Sequence, residues 1–351
     1  MGRLPPELIE EITRYLPTDD LKNVLTLSTK FRFAAEKYSG AFTEFTLNER
    51  NADKFLKRYS GHRLLYLREV HFRPNFPPLW PLQYEHEGLS EDEDEVIGCR
   101  ESADEIRDKN EYFTRQVHSL FATLSAVEEN AGPQHAPGRY RLLVHDPTRL
   151  IHRSIECDHR EFISWRIRLL NTELALVHSI RSLEIYNVCG ETKSILDEKH
   201  ESHDYPAAYK NLFWEQQLKL DLAVMVSLSS KLSNLEFLGC KVGGFEWPDS
   251  ICDEDGDVEP DRHYTHDWDG PRRDARHDFT SAVALHKAGI PPSLQRAILD
   301  FVNPLKQTLG ADQNKLLPNL VGPALYDPFS ASLRILTNNL RQVSSGCTNC
   351  M

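Results

Sequence analysis

Residues 221–240, DLAVMVSLSSKLSNLEFLGC, carry the pattern on which the architecture turns. The stretch 221–229 reads as a helix, and Leu232, Leu235, Phe237 and Cys240 then follow at the spacing L-x-x-L-x-L-x-x-N/C, whose later apolar positions alternate as in a strand. A helix leading directly into a short strand is the unit of an α/β fold.

The same order recurs upstream. Phe113, Val117, Leu120, Phe121, Leu124 and Val127 fall on one helical face; GPQHAPGR at 132–139 interrupts, and YRLLVH at 140–145 resumes as a strand. Related fragments stand at Leu67-Arg-Glu-Val70-His-Phe72, Ile180-Arg-Ser-Leu183-Glu-Ile185 and Leu333-Arg-Ile335-Leu-Thr-Asn338-Asn-Leu340. Their separations are unequal, so the expected fold is an irregular leucine-rich-repeat-like α/β solenoid over residues 60–343, interrupted by insertions, or another α/β arrangement that mimics one. Neighbouring solenoid strands present their non-core side chains in rows. That places Glu184, Tyr186, Glu236 and Arg334 on a shared outward face as candidate target-binding residues. The acidic runs SEDEDE (90–95) and DEDGDVEPD (253–261) read as solvated loops. The last residues, SSGCTNCM at 344–351, read as a disordered tail.

The first 40 residues have a different character. Pro5 and Pro6 suit a first helical turn, Glu7, Glu10 and Glu11 complement the positive end of the helix dipole, and Pro17 stops the run, giving a helix over about residues 5–16. Thr18 or Asp19 can cap a second helix with Leu21, Val24 and Leu25. Ser28 or Thr29 can cap a third with Phe31, Ala34, Ala35 and Tyr38 before Ser39-Gly40. Leu8, Ile9, Ile12, Tyr15 and Leu16 cover more of the first helix than one contact stripe needs, which leaves apolar surface for a partner. A segment this short rarely stabilises itself without staples, so burial against another surface is expected.

The string Leu4-Pro5-Pro6-Glu7-Leu8-Ile9-Glu10-Glu11-Ile12, then Tyr15-Leu16-Pro17, Asp20-Leu21, Leu25 and Ser28-Thr29-Lys30-Phe31-Arg32, resembles the F-box family in register. It departs from that pattern at Ser28-Thr29, where Val-Cys is usual, and near the end, where Phe42 or Phe45 stands for a Trp. The resemblance implies a three-helix module over residues 1–45 that docks on the Skp adaptor of a cullin scaffold. It places Leu4, Pro5, Glu7, Leu8, Ile9, Ile12, Leu16, Pro17, Leu21 and Leu25 at that contact. It further implies a non-catalytic subunit without cofactor, whose C-terminal domain holds a protein target for ubiquitination. GPRRDARHDF (270–279) and PALYDPFSASLRIL (323–336) also resemble F-box proteins of filamentous fungi. A scaffold that reaches the adaptor for another purpose would carry the same docking helices.

Composition agrees with a protein-binding role. A net charge of −12 disfavours binding nucleic acid through the whole surface, and no apolar run approaches a membrane span. The opening MGRLPPELIEE has neither the basic nor the apolar region of a secretory signal, and seven cysteines without framework spacing suit a reducing compartment, cytosol or nucleus.

The rival from another class is a metal-dependent enzyme. The segment 263–278 gathers His263, His266 and His277 with Asp267, Asp269, Asp274 and Asp278, but Gly270-Pro271 is expected to break any helix there, and Arg262, Arg272, Arg273 and Arg276 suggest ion pairs instead. Cys157-Asp158-His159 sets a thiol beside a histidine without a nucleophile elbow, and Cys347-Thr-Asn-Cys350 is a lone C-x-x-C without a second pair.

Overall fold

A computed structural model describes residues 4–78, 102–132, 139–145, 147–152, 166–171, 173–188, 213–217, 220–243, 250–252, 258–260, 269–302, 328–337, 340 and 342–346. Three short helices open it: α1 (Pro6–Tyr15), α2 (Thr18–Val24) and α3 (Thr29–Tyr38). Pro5 and Pro6 start α1, Glu7 lies in its first turn and Arg14 in its last, matching the helix dipole. The Ser28 side chain accepts from the Phe31 N–H and caps α3, as its sequence suggests. The N-cap of α2 is Pro17, not Thr18 or Asp19, and no side chain caps it. Proline there fixes the extended entry backbone and leaves the two expected capping residues inside the first turn.

The chain then enters a seven-stranded, wholly parallel sheet. Its strands are β1 (Glu44–Leu47), β2 (Glu69–Phe72), β3 (Tyr140–Val144), β5 (Ile180–Val188), β7 (Phe237–Gly243), β10 (Arg296–Val302) and β11 (Gln342–Gly346), in that spatial order. Each strand therefore lies beside the one that precedes it in the sheet's chain order. Residues 46–59 fall between the two domains expected from sequence, but β1 and α4 (Ala52–Tyr59) belong to this sheet and its helical layer. The fragments at 67–72, 180–185 and 232–240 do supply strands.

Burial alternates with period two along the strands. Phe45 and Leu47, Val70 and Phe72, Leu142 and Val144, and Leu238 and Cys240 point into one apolar cluster. That cluster also takes in Phe55 and Tyr59 of α4, the apolar stripe of α5 (Ala103–Ala131), α6 (Leu222–Ser229), α7 (Asp269–His286) and α8 (Pro328–Thr337). These helices lie between successive parallel strands in the chain and pack into the one cluster. Helix α5 opens on a reciprocal Ser102/Glu105 capping box and ends at Gly132, whose φ of 74° suits a residue without Cβ. Asp221 caps α6 by accepting from the Ala223 N–H.

Two expectations fail here for physical reasons. The Leu333–Leu340 fragment is not a strand: Pro328–Thr337 is helical, because Phe329, Ser332 and Leu336 are buried at helical spacing while Leu333 and Ile335 lie only half-buried. Gly270-Pro271 does not break a helix either; both lie in the first turn of α7, where a missing N–H costs no internal bond. Residues 344–346, expected in the tail, belong instead to β11, in register with β10; residues 347–351 lie outside the described residues. Of the run at 253–261, Val258–Pro260 forms β9, paired antiparallel with β8 (Ser250–Cys252). Strands β4 (Thr148–His152) and β6 (Phe213–Gln217) form a second small antiparallel pair. The run at 90–95 lies outside the described residues.

Polar side chains tie the connections to α5. The buried Gln116 amide accepts from the Asn75 N–H at 3.1 Å and donates to its carbonyl at 3.0 Å. Asn110 accepts from the Arg168 N–H at 2.8 Å, and Glu128 accepts from the N–H groups of His178 and Ser179 at 2.9 and 2.6 Å. At the sheet's β1 edge, Tyr59 donates to the Glu44 carbonyl and Asn51 to that of Thr46, so outward backbone acceptors are engaged rather than left for another strand.

Candidate functional site

The N-terminal helices have two unlike faces. One face of α1 buries Ile9 against Phe31 and Ala34 of α3, with Leu4 and Val24 packed alongside and Thr13 donating to the Ile9 carbonyl at 2.6 Å. The other face carries Leu8, Ile12 and Tyr15 at i, i+4 and i+7, exposed by 51%, 45% and 76%, and Leu25 and Leu27 are exposed at the end of α2. Five of the nine large exposed hydrophobic residues among those described thus fall between residues 8 and 27. Scattered exposed apolar residues are ordinary, but a stripe concentrated on one short helix marks a contact surface.

The residues singled out from sequence divide accordingly. Pro5, Glu7, Leu8, Ile12, Pro17 and Leu25 are exposed, whereas Leu4 and Leu16 are half-buried. Ile9 and Leu21 are buried and hold the helices together rather than facing outward. Leu27 joins the exposed apolar set; its position just before the Ser28 cap is the only local signal for it.

The family comparison decides what this module is. Residues 1–39 match the model of the F-box domain. The chain carries an F-box domain. Searches of curated proteins and of solved structures found no match. F-box domains bind the Skp adaptor in Skp–cullin–F-box assemblies, which suggests a role in substrate recognition for ubiquitin ligation.

The F-box joins the sheet through a polar junction. Glu36, a buried residue of α3, accepts from Arg63 Nε at 3.1 Å and Nη2 at 2.6 Å and pairs with His62 Nε2 at 2.9 Å. Both partners lie in the 3₁₀ turn Gly61–Tyr66. Burial by itself would raise the Glu36 pKa, but the hydrogen bonds and charges of Arg63 and His62 prevail and hold it below the usual carboxylate value. The Phe33 and His62 rings lie 4.0 Å apart between centroids, and Tyr66 donates to the Phe33 carbonyl at 3.1 Å. No local pattern announces Glu36, because its partners stand 26 and 27 residues further on.

A second surface lies on the sheet face opposite the apolar cluster. Arg141 pairs with Glu69 and, at 3.2 Å, with Glu184. At the beginnings of β5 and β7, Arg181 and Glu236 approach to 3.5 Å, and the Arg296 guanidinium lies 5.3 Å from the centre of the Phe237 ring. Gly239 sits between Phe237 and Glu184: a Cβ there would meet the Phe237 ring at 3.1 Å and Glu184 Cγ at 3.2 Å. His71 Nδ1 and His145 Nε2 are 2.9 Å apart, and burial, followed by the charges of Arg73 and His71, lowers the His145 pKa to about 4. Glu184 and Glu236 are thus both engaged in ion pairs near this face. Tyr186 occupies a β5 position in register with Lys241, but its side chain lies outside the described residues. Arg334 is exposed on α8 and is not part of a strand row, which corrects its expected placement.

Of the seven candidate metal ligands at 263–278, only the side chain of Asp278 is among the described residues. His263, His266 and Asp267 lie outside the described residues, and Asp278 pairs with Arg168 at 2.6 Å. Arg168 also approaches the buried Asp221 at 3.5 Å. Burial outweighs the Ala223 N–H bond and Arg168 and raises the Asp221 pKa to about 6. Cys157-Asp158-His159 and Cys347–Cys350 also lie outside the described residues. No described helix is long and apolar enough to cross a membrane.

Proposed function

We propose that this chain is the substrate-receptor subunit of a Skp–cullin–F-box ubiquitin ligase and acts in the cytosol or nucleus without catalytic residues of its own. The exposed Leu8–Ile12–Tyr15 stripe on an F-box helix is the observation that carries the proposal. Pro5, Leu8, Ile12 and Leu25 meet the Skp adaptor, supported from beneath by Ile9 and Leu21, and the adaptor links the chain to the cullin. The receptor domain begins with β1 and holds a protein target on the outward sheet face near Glu184, Tyr186 and Glu236. Sequential parallel strands with helices packed in one cluster support an irregular leucine-rich-repeat-like reading of this domain, since such folds expose a row of strand side chains. Holding a target beside an activated ubiquitin carrier raises its effective concentration, so rate is gained through position.

The full chain mixed with purified Skp adaptor is expected to form a 1:1 complex at micromolar concentration and to recruit the cullin when it is added. Chain that elutes separately from the adaptor at these concentrations would refute the assignment. Reversing charge at Glu184 and Glu236 together is expected to abolish target capture while leaving the adaptor complex intact; undiminished capture would move the target site elsewhere.

A further inference from the structure

The F-box and the sheet domain have separate apolar clusters: Ile9, Phe31 and Ala34 form one, and the sheet cluster is distinct from it. Apolar contact holds each body together, but the angle between two bodies is set by directional bonds across their junction. The chain passes that junction at Gly40, whose φ of 70° marks a position with wide backbone freedom. Immediately after it the chain is tied to the sheet body, since Arg58 donates to the Ala41 carbonyl and the N–H groups of Arg68 and Glu69 donate to that of Thr43 at 2.7 and 3.0 Å, so Gly40 is the step at which the chain leaves the F-box body. Glu36 lies four residues before this pivot and Arg63 well beyond it, and the two meet through both guanidinium donors. A two-pronged carboxylate–guanidinium contact fixes direction as well as distance, and a buried one has more value for specifying an arrangement than for net stability.

The structure assigns Glu36 the role of a positioning residue: with Arg63 and His62 it locks the pivot at Gly40 and fixes the receptor domain at one angle to the adaptor-bound F-box. This rests on the receptor function proposed above. Ubiquitin transfer then reaches only lysines that the fixed angle brings to the carrier, because productive attack depends on ångström-scale placement.

Three readings on the full chain test the lock. Spin labels on Lys22→Cys in α2 and Lys54→Cys in α4, with all native cysteines except buried Cys240 replaced by serine, report the distance between the bodies. Glu36→Gln and Arg63→Met are each expected to broaden a narrow distribution, and the double variant to broaden it no further, as two ends of one bond require. Self-ubiquitination in the reconstituted adaptor–cullin assembly is expected to lose its dominant lysines by on the order of tenfold and spread to others. Affinity for the adaptor stays at the wild-type value, which unfolding of the F-box would not allow. An unchanged distribution, or a broadened one with the same pattern of modified lysines, would overturn the proposal. If Glu36→Gln lowers the melting temperature, Arg63→Lys, which keeps the charge but loses the two-pronged geometry, must reproduce the altered lysine pattern for the lock to stand. Wild-type chain that fails to bind the adaptor would instead refute the receptor function, while the distance measurement would still decide whether the pivot is locked.

Discussion

Replacing Leu8 by lysine separates docking from folding. Leu8 is 51% exposed on the outward stripe of α1, so roughly half of its side chain remains to be buried by a partner. Full burial of a leucine contributes about 1.5–3 kcal/mol, so the half still available is worth roughly 1 kcal/mol. A lysine at the same place must also bring its charge into a drying contact, which adds at least about 1–2 kcal/mol when no acid meets it. Together these weaken adaptor binding by about thirtyfold or more, and adding Pro5→Ala at the helix start is expected to bring the loss to about a hundredfold. The free chain should scarcely notice, since surface substitutions outside special sites usually stay within about 0.5 kcal/mol. Ile9→Ala is the internal contrast: this residue is 2% exposed, and its loss should cost about 2–5 kcal/mol of F-box stability. Calorimetric titration of each full-length variant with the adaptor, beside thermal unfolding, provides the check. Equal affinity for wild type and Leu8→Lys, or a large loss of stability in Leu8→Lys, would refute the two-faced reading of α1.

Asp221 should make stability fall as pH rises: its folded pKa of about 6 lies above the ordinary 3.8, so the folded state holds the proton more tightly, and stability is lost from about pH 4 to pH 6. Asp221→Asn keeps an N-cap acceptor and should remove a penalty of up to about 3 kcal/mol at pH 8 but none near pH 4, read from denaturant unfolding at the two pH values. Gly239→Ala should destabilise by about 1 kcal/mol, because the new methyl must displace the Phe237 ring or Glu184; a melting temperature equal to wild type would show that the neighbours move freely.

What could be read ahead from sequence was what neighbouring residues determine together. The prolines, the Ser28 cap and the apolar excess of the first helix are local signals, and they located three helices and a surface needing a partner. The strand fragments were legible where β-branched and leucine residues alternate beside a helix. The same alternation misled at Leu333 and Ile335, because a segment with both two-residue and helical spacing is settled by which side chains the core accepts. Gly270-Pro271 misled because proline forbids a helix interior but suits its beginning, and the start of α7 is fixed by residues around it. The Glu36 junction was invisible for another reason: a bond spanning 27 residues has no signature in either sequence window.

The agreement between strand order and chain order bears on how the protein is made. A strand emerging from the ribosome finds its only upstream neighbour already synthesised, and it waits for no later segment before it can pair. The sheet domain can therefore grow outward from the F-box as a vectorial assembly, one crossover at a time. During synthesis its growing tip is always the newest strand, so the unpaired edge that a nascent sheet exposes moves with the point of elongation and is covered by the next strand to arrive.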